Sequence, residues 1–298
     1  MKPTEMAAAL YATADKRQAV DQPRSDRPRT VHPSAIIGRD VRIGRNVDIG
    51  PFAVIGDGSE IGDDCRLSTH AVIGPQTVIG ERTLVDSFAV VGGEPQDLTY
   101  DPATRSGVRV GNAVTIREGV TIHRSTQNDV FTEISDNCYL MANSHVAHDC
   151  RLGERVVLSN NVMLAGHVTV EARAIIGGGA GVHQHVRIGE GAMVGGNASI
   201  SSDVPPFTIA AERNRLFGLN RIGLRRSGMS RAEIRDLERC YTIVFRQAGD
   251  IRGKAASALV VASPERTAVG LRFLAFFNAG RRGFSFPRRR MHRPADGD

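Results

Sequence analysis

The 298-residue chain has no tryptophan, and aromatic residues make up only 5% of it. This excludes a conventional aromatic core, whereas 32 glycines and 13 prolines favour a turn-rich, repetitive architecture over a helical bundle. No stretch approaches the roughly 20 apolar residues of a membrane span. The opening MKPTEMAAALYATAD has only a short apolar run between acids, so we expect no signal peptide and no membrane insertion.

The four cysteines, Cys65, Cys138, Cys150 and Cys240, form no C-x-x-C pair. Three of them occupy one recurring small-residue position of the repeat described below, so we expect buried packing residues in a reducing compartment, the cytoplasm. A G-x-S-x-G nucleophile motif is also missing. Direct attack by an acceptor is therefore favoured over a covalent enzyme intermediate.

Acidic residues are outnumbered, and the formal net charge is +6. The excess of arginine is concentrated near the end, in 215–231 and 281–293. Because no aromatic-rich basic groove accompanies it, nucleic acid is a poor candidate partner. The basic region suits an acidic carrier protein, although a solvated tail without a partner explains 287–293 equally well.

What the chain has is a six-residue repeat. Aliphatic residues recur at every sixth position from Val31 to Val91 and again from Ile134 to Ile200, and the register breaks in between. The fifth residue of each hexad is small or β-branched, as at Ala35, Val41 and Cys65. Hexapeptide periodicity predicts a mainly β protein, a parallel β-helix in which residues three hexads apart stack about 4.8 Å from one another.

The pattern divides the chain into four parts. We predict a disordered extension over 1–30, a β-helix over 31–206 with a protruding loop at 92–109, a helical domain over 207–286 and a basic tail over 287–298. Ser230 and Glu233 form a capping box before one amphipathic helix, and a second helix is expected at about 264–279. The small helical domain would cover the open edge of the last coil.

Histidines gather in one part of the repeat, beginning with SHVAHD at 144–149. Stacking places His148, Gly166 and Gln184 in one column and His167 and His185 in the next. An imidazole is a natural general base for a sugar hydroxyl, and a glycine N–H can approach a developing oxyanion. Asp149 would orient the ring of His148.

Two other interpretations remain open for these histidines. They could decorate a polar face, or form hydrogen bonds across a trimer interface. They could also bind a metal through His145, His148, His167 and His183, as in the γ-class carbonic anhydrases. That family is shorter and lacks both the loop and the C-terminal domain, so we expect no metal.

Four motifs make the resemblance specific: SHVAHDC, LAGHVTV, IIGGGAGVHQ and DVPPFTIA. From about Val31 to Phe284 the chain resembles the acyl-carrier-protein UDP-N-acetylglucosamine O-acyltransferases, a family of hexapeptide-repeat transferases. The resemblance implies a left-handed β-helix and a homotrimer with sites between subunits. It also implies transfer of an (R)-3-hydroxyacyl group from acyl carrier protein to the 3-hydroxyl of UDP-N-acetylglucosamine in lipid A biosynthesis. No cofactor is implied beyond the phosphopantetheine of the carrier.

The resemblance also assigns residues. His148 corresponds to the general base and Gly166 to the oxyanion donor. Positions that contact the acceptor or the acyl group correspond to Gln96, Asp97, His145, His167, His183 and Gln184. Asn220 and Arg226 correspond to nucleotide-side positions, and Gly196 to a site where a small residue leaves room for the acyl tail.

Three residues depart from the family pattern. Thr99 replaces a lysine, Ile222 a glutamate and Ser227 an arginine, all on the acceptor side. The departures keep two alternatives open: a paralogue that acylates another nucleotide amino sugar at nitrogen or oxygen, and a non-catalytic binder of acyl carrier protein or nucleotide. The later N-acyltransferase of lipid A synthesis is disfavoured because residues 1–30 are too short for its nucleotide-binding domain.

Overall fold

The computed structural model describes residues 30–261 and 263–287. The predicted fold is confirmed: the chain winds into a left-handed parallel β-helix of three flat sheets, followed by a small helical domain. Thr30 already belongs to the first strand and pairs with Asp48. The rest of the predicted extension, and the predicted tail after Pro287, lie outside the described residues.

The strands of each sheet come from every third hexad. Sheet A contains Thr30–Val31, Asp48–Ile49, Arg66–Leu67, Leu84–Val85, Thr115–Ile116, Tyr139–Leu140, Val157–Leu158, Ile175–Ile176, Met193–Val194, Thr208–Ala211, Arg215–Leu219 and Phe286–Pro287. Sheet B contains Ile36–Ile37, Val54–Ile55, Val72–Ile73, Val90–Gly93, Thr121–His123, His145–Val146, Met163–Leu164, Gly181–Val182 and Ser199–Ile200. Sheet C contains Arg42–Ile43, Glu60–Ile61, Val78–Ile79, Gly107–Val110, Phe131–Ile134, Arg151–Leu152, Thr169–Val170 and Arg187–Ile188.

Two side chains of each hexad point into the coil. Ile49 and Ala53 are fully buried, and Cys65 and Leu67 are nearly so. Burial raises the pKa of the Cys65 thiol to about 11, which leaves it protonated and inert at neutral pH. The aliphatic position and the small position of the repeat therefore build the core without aromatic rings, because each coil stacks directly on the next.

The corners between sheets use a turn whose second residue has a positive φ. Examples are Asp40 at +56°, Asn46 at +55° and Asp149 at +60°. Asp, Asn and His tolerate this left-handed conformation better than most side chains, which explains their recurrence at the corners.

Both breaks in the repeat fall at the corner between sheets B and C. Along sheet B, Val72 pairs with Val90 across a separation of 18, Val90 with Thr121 across 31 and Thr121 with His145 across 24. The first insertion thus adds 31 − 18 = 13 residues and the second 24 − 18 = 6. The predicted loop at 92–109 is shorter than expected, because strands continue to Gly93 and resume at Gly107.

The C-terminal domain contains four α-helices within the described residues. They are α1 (Arg221–Arg226), α2 (Arg231–Arg246), α3 (Ile251–Val260) and α4 (Ala268–Ala275), and a 3-10 turn follows at Phe276–Asn278. The capping box of Ser230 and Glu233 is formed as predicted at the start of α2. The helix expected at about 264–279 is present as α4 and its 3-10 extension, whereas α1 and α3 were not predicted.

The domain continues the edge of sheet A. Thr208–Ala211 still pairs in parallel with the last regular coil, beyond the predicted boundary at 206, and Arg215–Leu219 then turns back antiparallel to it. Phe273 and Phe277 form the fully buried centre of the helical core. No helix within 30–261 and 263–287 is long and apolar enough to cross a bilayer.

Candidate active site

The histidines lie at the corner between sheets B and C, where both insertions occur. Each regular coil has two turn residues at this corner. His148, Gly166 and Gln184 take the first position in successive coils, whereas Asp149, His167 and His185 take the second, with φ between +60° and +63°. The ring centroids of His167 and His185 are 4.5 Å apart and nearly parallel. The predicted columns are therefore present.

His148 and Asp149 form a hydrogen-bonded pair. Nδ1 of His148 lies 2.8 Å from Oδ2 of Asp149, and only 13% and 4% of the two side chains are exposed. The ring of His167 meets that of His148 edge-on, with 5.2 Å between centroids. This hydrogen bond is the contact through which Asp149 would orient the ring of His148, as predicted.

Asp149 is fixed from its other side by the second insertion. Ser125 donates a short hydrogen bond to Oδ1, and the Thr126 hydroxyl donates to Oδ2 at 2.8 Å. Burial opposes ionisation of this carboxyl, but the bonds from His148, Ser125 and Thr126 outweigh it and hold the pKa of Asp149 well below its usual range. The ionised carboxylate can only accept, so Nδ1 of His148 is the donor in this pair and Nε2 takes no part in it.

Gly166 makes room for that imidazole. A Cβ on Gly166 would lie 2.6 Å from Nε2 and 2.5 Å from Cε1 of His148, so only glycine fits beneath the ring. The glycine that was expected to donate to an oxyanion therefore also accommodates the imidazole of His148.

The N–H of Gly166 is free in the described chain. At the same corner of an earlier coil, the N–H of Arg39 points to the next coil and donates to Oδ1 of Asp57 at 2.9 Å. At Gly166 no described acceptor takes that bond. A buried donor beside Nε2 is the arrangement that an oxyanion requires.

A second imidazole pair lies on sheet B. His123 and His145 meet edge-on with centroids 4.7 Å apart, and Nδ1 of His145 is 2.7 Å from the Thr121 hydroxyl. Burial, with smaller contributions from His145 and His148, lowers the pKa of His123 to about 4. Burial and then His148 also lower the pKa of His145. Both rings are therefore neutral at pH 7.

The loop of the first insertion lies near enough to the histidines for their charges to act on Asp97. Asp97 accepts from the N–H and the hydroxyl of Thr99 at 2.8 and 2.7 Å. These bonds lower the pKa of Asp97, and His148 and His167 add to the effect. Gln96 is exposed beside it. Thr99, at the position of the family's lysine, thus orders the loop instead of presenting a charge.

The other predicted site residues lie farther along the fold. His183 and Gln184 are exposed at the histidine corner, where Arg282 contacts both. Gly196 occupies the opposite edge of sheet B, at the corner with sheet A.

The two nucleotide-side positions are on α1. Asn220 caps the helix by accepting from Gly223 N–H at 3.1 Å, and Arg226 is exposed in its last turn. No described hydrogen bond joins either residue to the histidines. Ile222 is 37% exposed, and the Ser227 hydroxyl caps the end of the helix on Leu224 O at 2.9 Å.

One set of side chains has the spacing of metal ligands. Ligand atoms of His148, Asp149 and His167 all lie within 4.8 Å of one another. Only two of the four histidines weighed from the sequence belong to it, since Nδ1 of His145 faces Thr121 and that of His183 faces Arg282. Asp149 is already occupied by three side-chain donors, which fits orientation of His148 better than metal binding.

Sequence reasoning missed Ser125, Thr126, His123 and Arg282. Ser125 and Thr126 belong to the second insertion, and insertion residues have no place in the six-residue register. Arg282 gave no signal, because it lies 98 positions from the residue whose carbonyl it binds.

Both the β-helix and the C-terminal domain are similar to known proteins. Residues 203–285 match the model of UDP N-acetylglucosamine O-acyltransferase domain 2, and residues 131–166 match that of the bacterial transferase hexapeptide. The chain is 44% identical over 200 residues to the acyl-[acyl-carrier-protein]–UDP-N-acetylglucosamine O-acyltransferase of Burkholderia ambifaria. These 200 residues are 66% of this chain and 76% of the relative.

Other similarities differ in extent. The enzyme of the same name from Agrobacterium fabrum is 44% identical over 171 residues, or 57% of this chain and 63% of the relative. The chain therefore matches less than two thirds of that relative's length. A UDP-N-acetylglucosamine acyltransferase structure from Campylobacter jejuni superposes with a TM-score of 0.80 at 35% identity, over 87% of this chain and 100% of that one. The chain belongs to the acyl-[acyl-carrier-protein]–UDP-N-acetylglucosamine O-acyltransferase family.

Proposed function

We propose that this protein transfers an (R)-3-hydroxyacyl group from acyl carrier protein to the 3-hydroxyl of UDP-N-acetylglucosamine, a reaction of lipid A biosynthesis. The observation that carries the proposal is the His148–Asp149 pair above Gly166. The pair leaves Nε2 of His148 outside its own hydrogen bond and places the ring against Gly166, whose N–H has no described acceptor; the family membership indicates the substrates.

The proposed reaction is a direct acyl transfer. Nε2 of His148 takes the proton of the sugar 3-hydroxyl while the oxygen attacks the thioester carbonyl carbon. The Gly166 N–H stabilises the oxyanion, and Asp149 stabilises the imidazolium. The C–S bond then breaks, and the phosphopantetheine thiolate leaves with the proton from His148. This chemistry needs no resident cofactor or metal.

The remaining family positions are assigned to the substrates. We expect Gln96, Asp97, His145, His167, His183 and Gln184 to contact the acyl group or the sugar, Asn220 and Arg226 the nucleotide, and Gly196 the acyl tail. His167 and Gly196 lie at opposite edges of sheet B, so one chain does not bring every position to one cleft. A second copy is the simplest way to complete the site.

A homotrimer fits the surface of sheet B. Its outward strand positions are apolar in the first coils, with Ile36 64% exposed, and Met163 is 53% exposed farther along. Along the corner with sheet A, Phe52, His70 and Phe88 stack with centroids 5.0 and 5.2 Å apart. Three-fold association would bury this strip and place sites between subunits.

The carrier protein is expected on the C-terminal domain. Arg225 and Arg226 are exposed at the end of α1, and Arg231 and Arg235 are exposed one turn apart on α2. Acyl carrier proteins are acidic, so this surface would attract them. The four buried, unpaired thiols suit the proposed cytoplasmic location.

The test is a transfer assay with a choice of acceptor. Purified protein is incubated with 3-hydroxyacyl carrier proteins of several chain lengths and with labelled UDP-N-acetylglucosamine or its 3-amino analogue, beside His148→Ala. Transfer to the hydroxyl that disappears in the variant is the expected result.

Two other results would overturn the proposal. Preference for the 3-amino analogue would establish the N-acylating alternative, which the substitutions Thr99, Ile222 and Ser227 keep in view. If the folded oligomer transfers the acyl group to neither sugar, the alternative of a non-catalytic binding protein remains.

A further inference from the structure

The segment 279–283 of the C-terminal domain is fastened against the last coils. The Ala279 carbonyl accepts from Nη2 of Arg187 at 2.9 Å, and the Gly280 carbonyl accepts from Nη2 of Arg252 at 2.6 Å. On the other side, the Gly283 carbonyl accepts from the Asp203 N–H at 3.0 Å. The segment is therefore held at both ends by the body of the protein.

Two glycines give the segment its shape. Gly280 and Gly283 have φ of +97° and +68°, and a Cβ on Gly280 would collide with the carboxylate of Asp203. Such a fixed backbone gives the two side chains between the glycines defined directions. One of the two is Arg282.

Arg282 extends to the histidine corner and makes two contacts there. Nε donates to the Gln184 carbonyl at 2.9 Å, and Nη2 lies 2.6 Å from Nδ1 of His183. A guanidinium has only donors and stays protonated, so Nδ1 of His183 must be the acceptor. The 3.4 Å separation between that Nδ1 and the Gln184 carbonyl is too long to compete.

The consequence concerns the opposite nitrogen of the ring. With Nδ1 occupied as the acceptor of the Arg282 donor, only Nε2 is left to carry an N–H. We propose that Arg282 is a positioning residue that locks His183 as an Nε2–H donor to a substrate oxygen. This inference rests on the proposed function for the identity of that substrate, but the tautomer does not depend on it.

The neighbouring arginine provides a matched control. Arg281 has the same charge in the same segment and is exposed, and no described hydrogen bond or ion pair involves it. The charges of both arginines also act on His185. The pKa of this histidine is lowered first by burial, next by His167 and then by the two arginines. Removing Arg281 therefore changes the local charge as much as removing Arg282 does, without breaking the contact to His183.

The first test is nitrogen NMR on protein labelled at histidine, with His183→Ala to assign the signal. The wild type should show His183 with an unprotonated Nδ1 and a protonated Nε2 at pH 7. Arg282→Ala should shift the ring toward a mixture of tautomers, and Arg281→Ala should leave it unchanged. A wild-type ring protonated on Nδ1, or a tautomer insensitive to Arg282→Ala, would overturn the proposal.

The second test is a double-mutant cycle on transfer. Arg282→Ala should lower kcat/KM about tenfold, the loss expected from one hydrogen bond to a charged group. In a His183→Ala background, Arg282→Ala should lower kcat/KM little further, since both substitutions remove the same Arg282–His183 contact. Equal losses in both backgrounds would show that Arg282 does not act through His183. Arg282→Lys, which keeps the charge and one donor, serves in its place if the alanine variant does not fold.

The two proposals fail separately. If the wild type transfers no acyl group, the function is wrong while the NMR result still decides the role of Arg282. If the wild type is active and Arg282→Ala changes neither tautomer nor rate, only this inference is wrong.

Discussion

The corner between sheets B and C has the same backbone in the first coils and around the histidines, yet different chemistry. In the first coils Arg39 and Asp57 take the first turn position, and their ion pair is open to water, with 88% and 51% of the side chains exposed. Farther along, His148 takes that position and pairs with Asp149, at 13% and 4% exposure.

The insertions explain the difference. They add chain only at this corner, and the second one covers Asp149 with Ser125 and Thr126. A carboxylate that forms a weak surface pair in one coil becomes a buried, fully bonded group in another. The proposed site lies where one corner of the repeat is covered, and the regular coils form its scaffold.

The largest expected effect on transfer is that of Gly166→Ala. A Cβ would lie 2.6 Å from Nε2 of His148 and displace the imidazole, so transfer should fall about 100-fold. The backbone of Gly166 is not in a positive-φ conformation, so thermal unfolding should change little.

Gly178→Ala is the matched control. Gly178 takes the first turn position at the corner between sheets A and B. A Cβ on Gly178 would come no closer than 3.2 Å to its nearest neighbour. It should keep the wild-type rate. Equal activity of both variants would mean that His148 does not need its observed position.

Asp149→Asn should lower the transfer rate by about 10- to 100-fold. The amide keeps the shape of the carboxylate but removes the charge that stabilises the imidazolium. Asp57→Asn makes the same change in the N-terminal coils and should leave the rate unchanged. Steady-state kinetics on both variants measures how far the two carboxylates differ.

The buried histidine of sheet B should make stability depend on pH. The pKa of His123 is lowered to about 4, so between the ordinary value near 6.5 and pH 4 the unfolded chain binds the proton more readily. The contribution to the free energy of unfolding is full above pH 6.5 and falls as the pH drops toward 4, by on the order of 2 kcal/mol.

His123→Gln should flatten this slope in urea denaturation at pH 4.5, 5.5 and 7.5. His70→Gln, at an exposed histidine of the N-terminal coils, should retain the wild-type slope. Parallel curves for all three proteins would contradict a buried neutral His123.

The smallest effect is expected from the ion pair of the first coils. Arg39→Ala should reduce the free energy of unfolding by less than about 1 kcal/mol, because the pair is exposed. The difference should shrink in high salt, and transfer should be unaffected. A larger loss, or lowered activity, would show that the two regions are less distinct than their burial indicates.

The sequence predicted those parts of the molecule that follow its register. Period six placed Ile49 and Cys65 inside, and the same count aligned His148 with Gly166, because stacking in a solenoid is local and regular. The capping box located the start of α2 for a similar, local reason.

What the register does not cover had to be seen in the structure. Ser125 and Thr126 belong to an insertion whose path depends on the coils around it, and Arg282 contacts residues 98 and 99 positions away. The short helix α1 is capped by the buried Asn220, whose own N–H donates to the distant Phe207 carbonyl, so local propensity did not reveal it.

The most direct test of the account is the single-turnover rate of His148→Ala with acyl carrier protein substrate and saturating sugar nucleotide. General base catalysis by His148 predicts a fall of about 10²- to 10⁴-fold in the chemical step, with unchanged affinity for the sugar nucleotide. A variant that turns over at the wild-type rate, or that loses binding instead of chemistry, would contradict general base catalysis by His148.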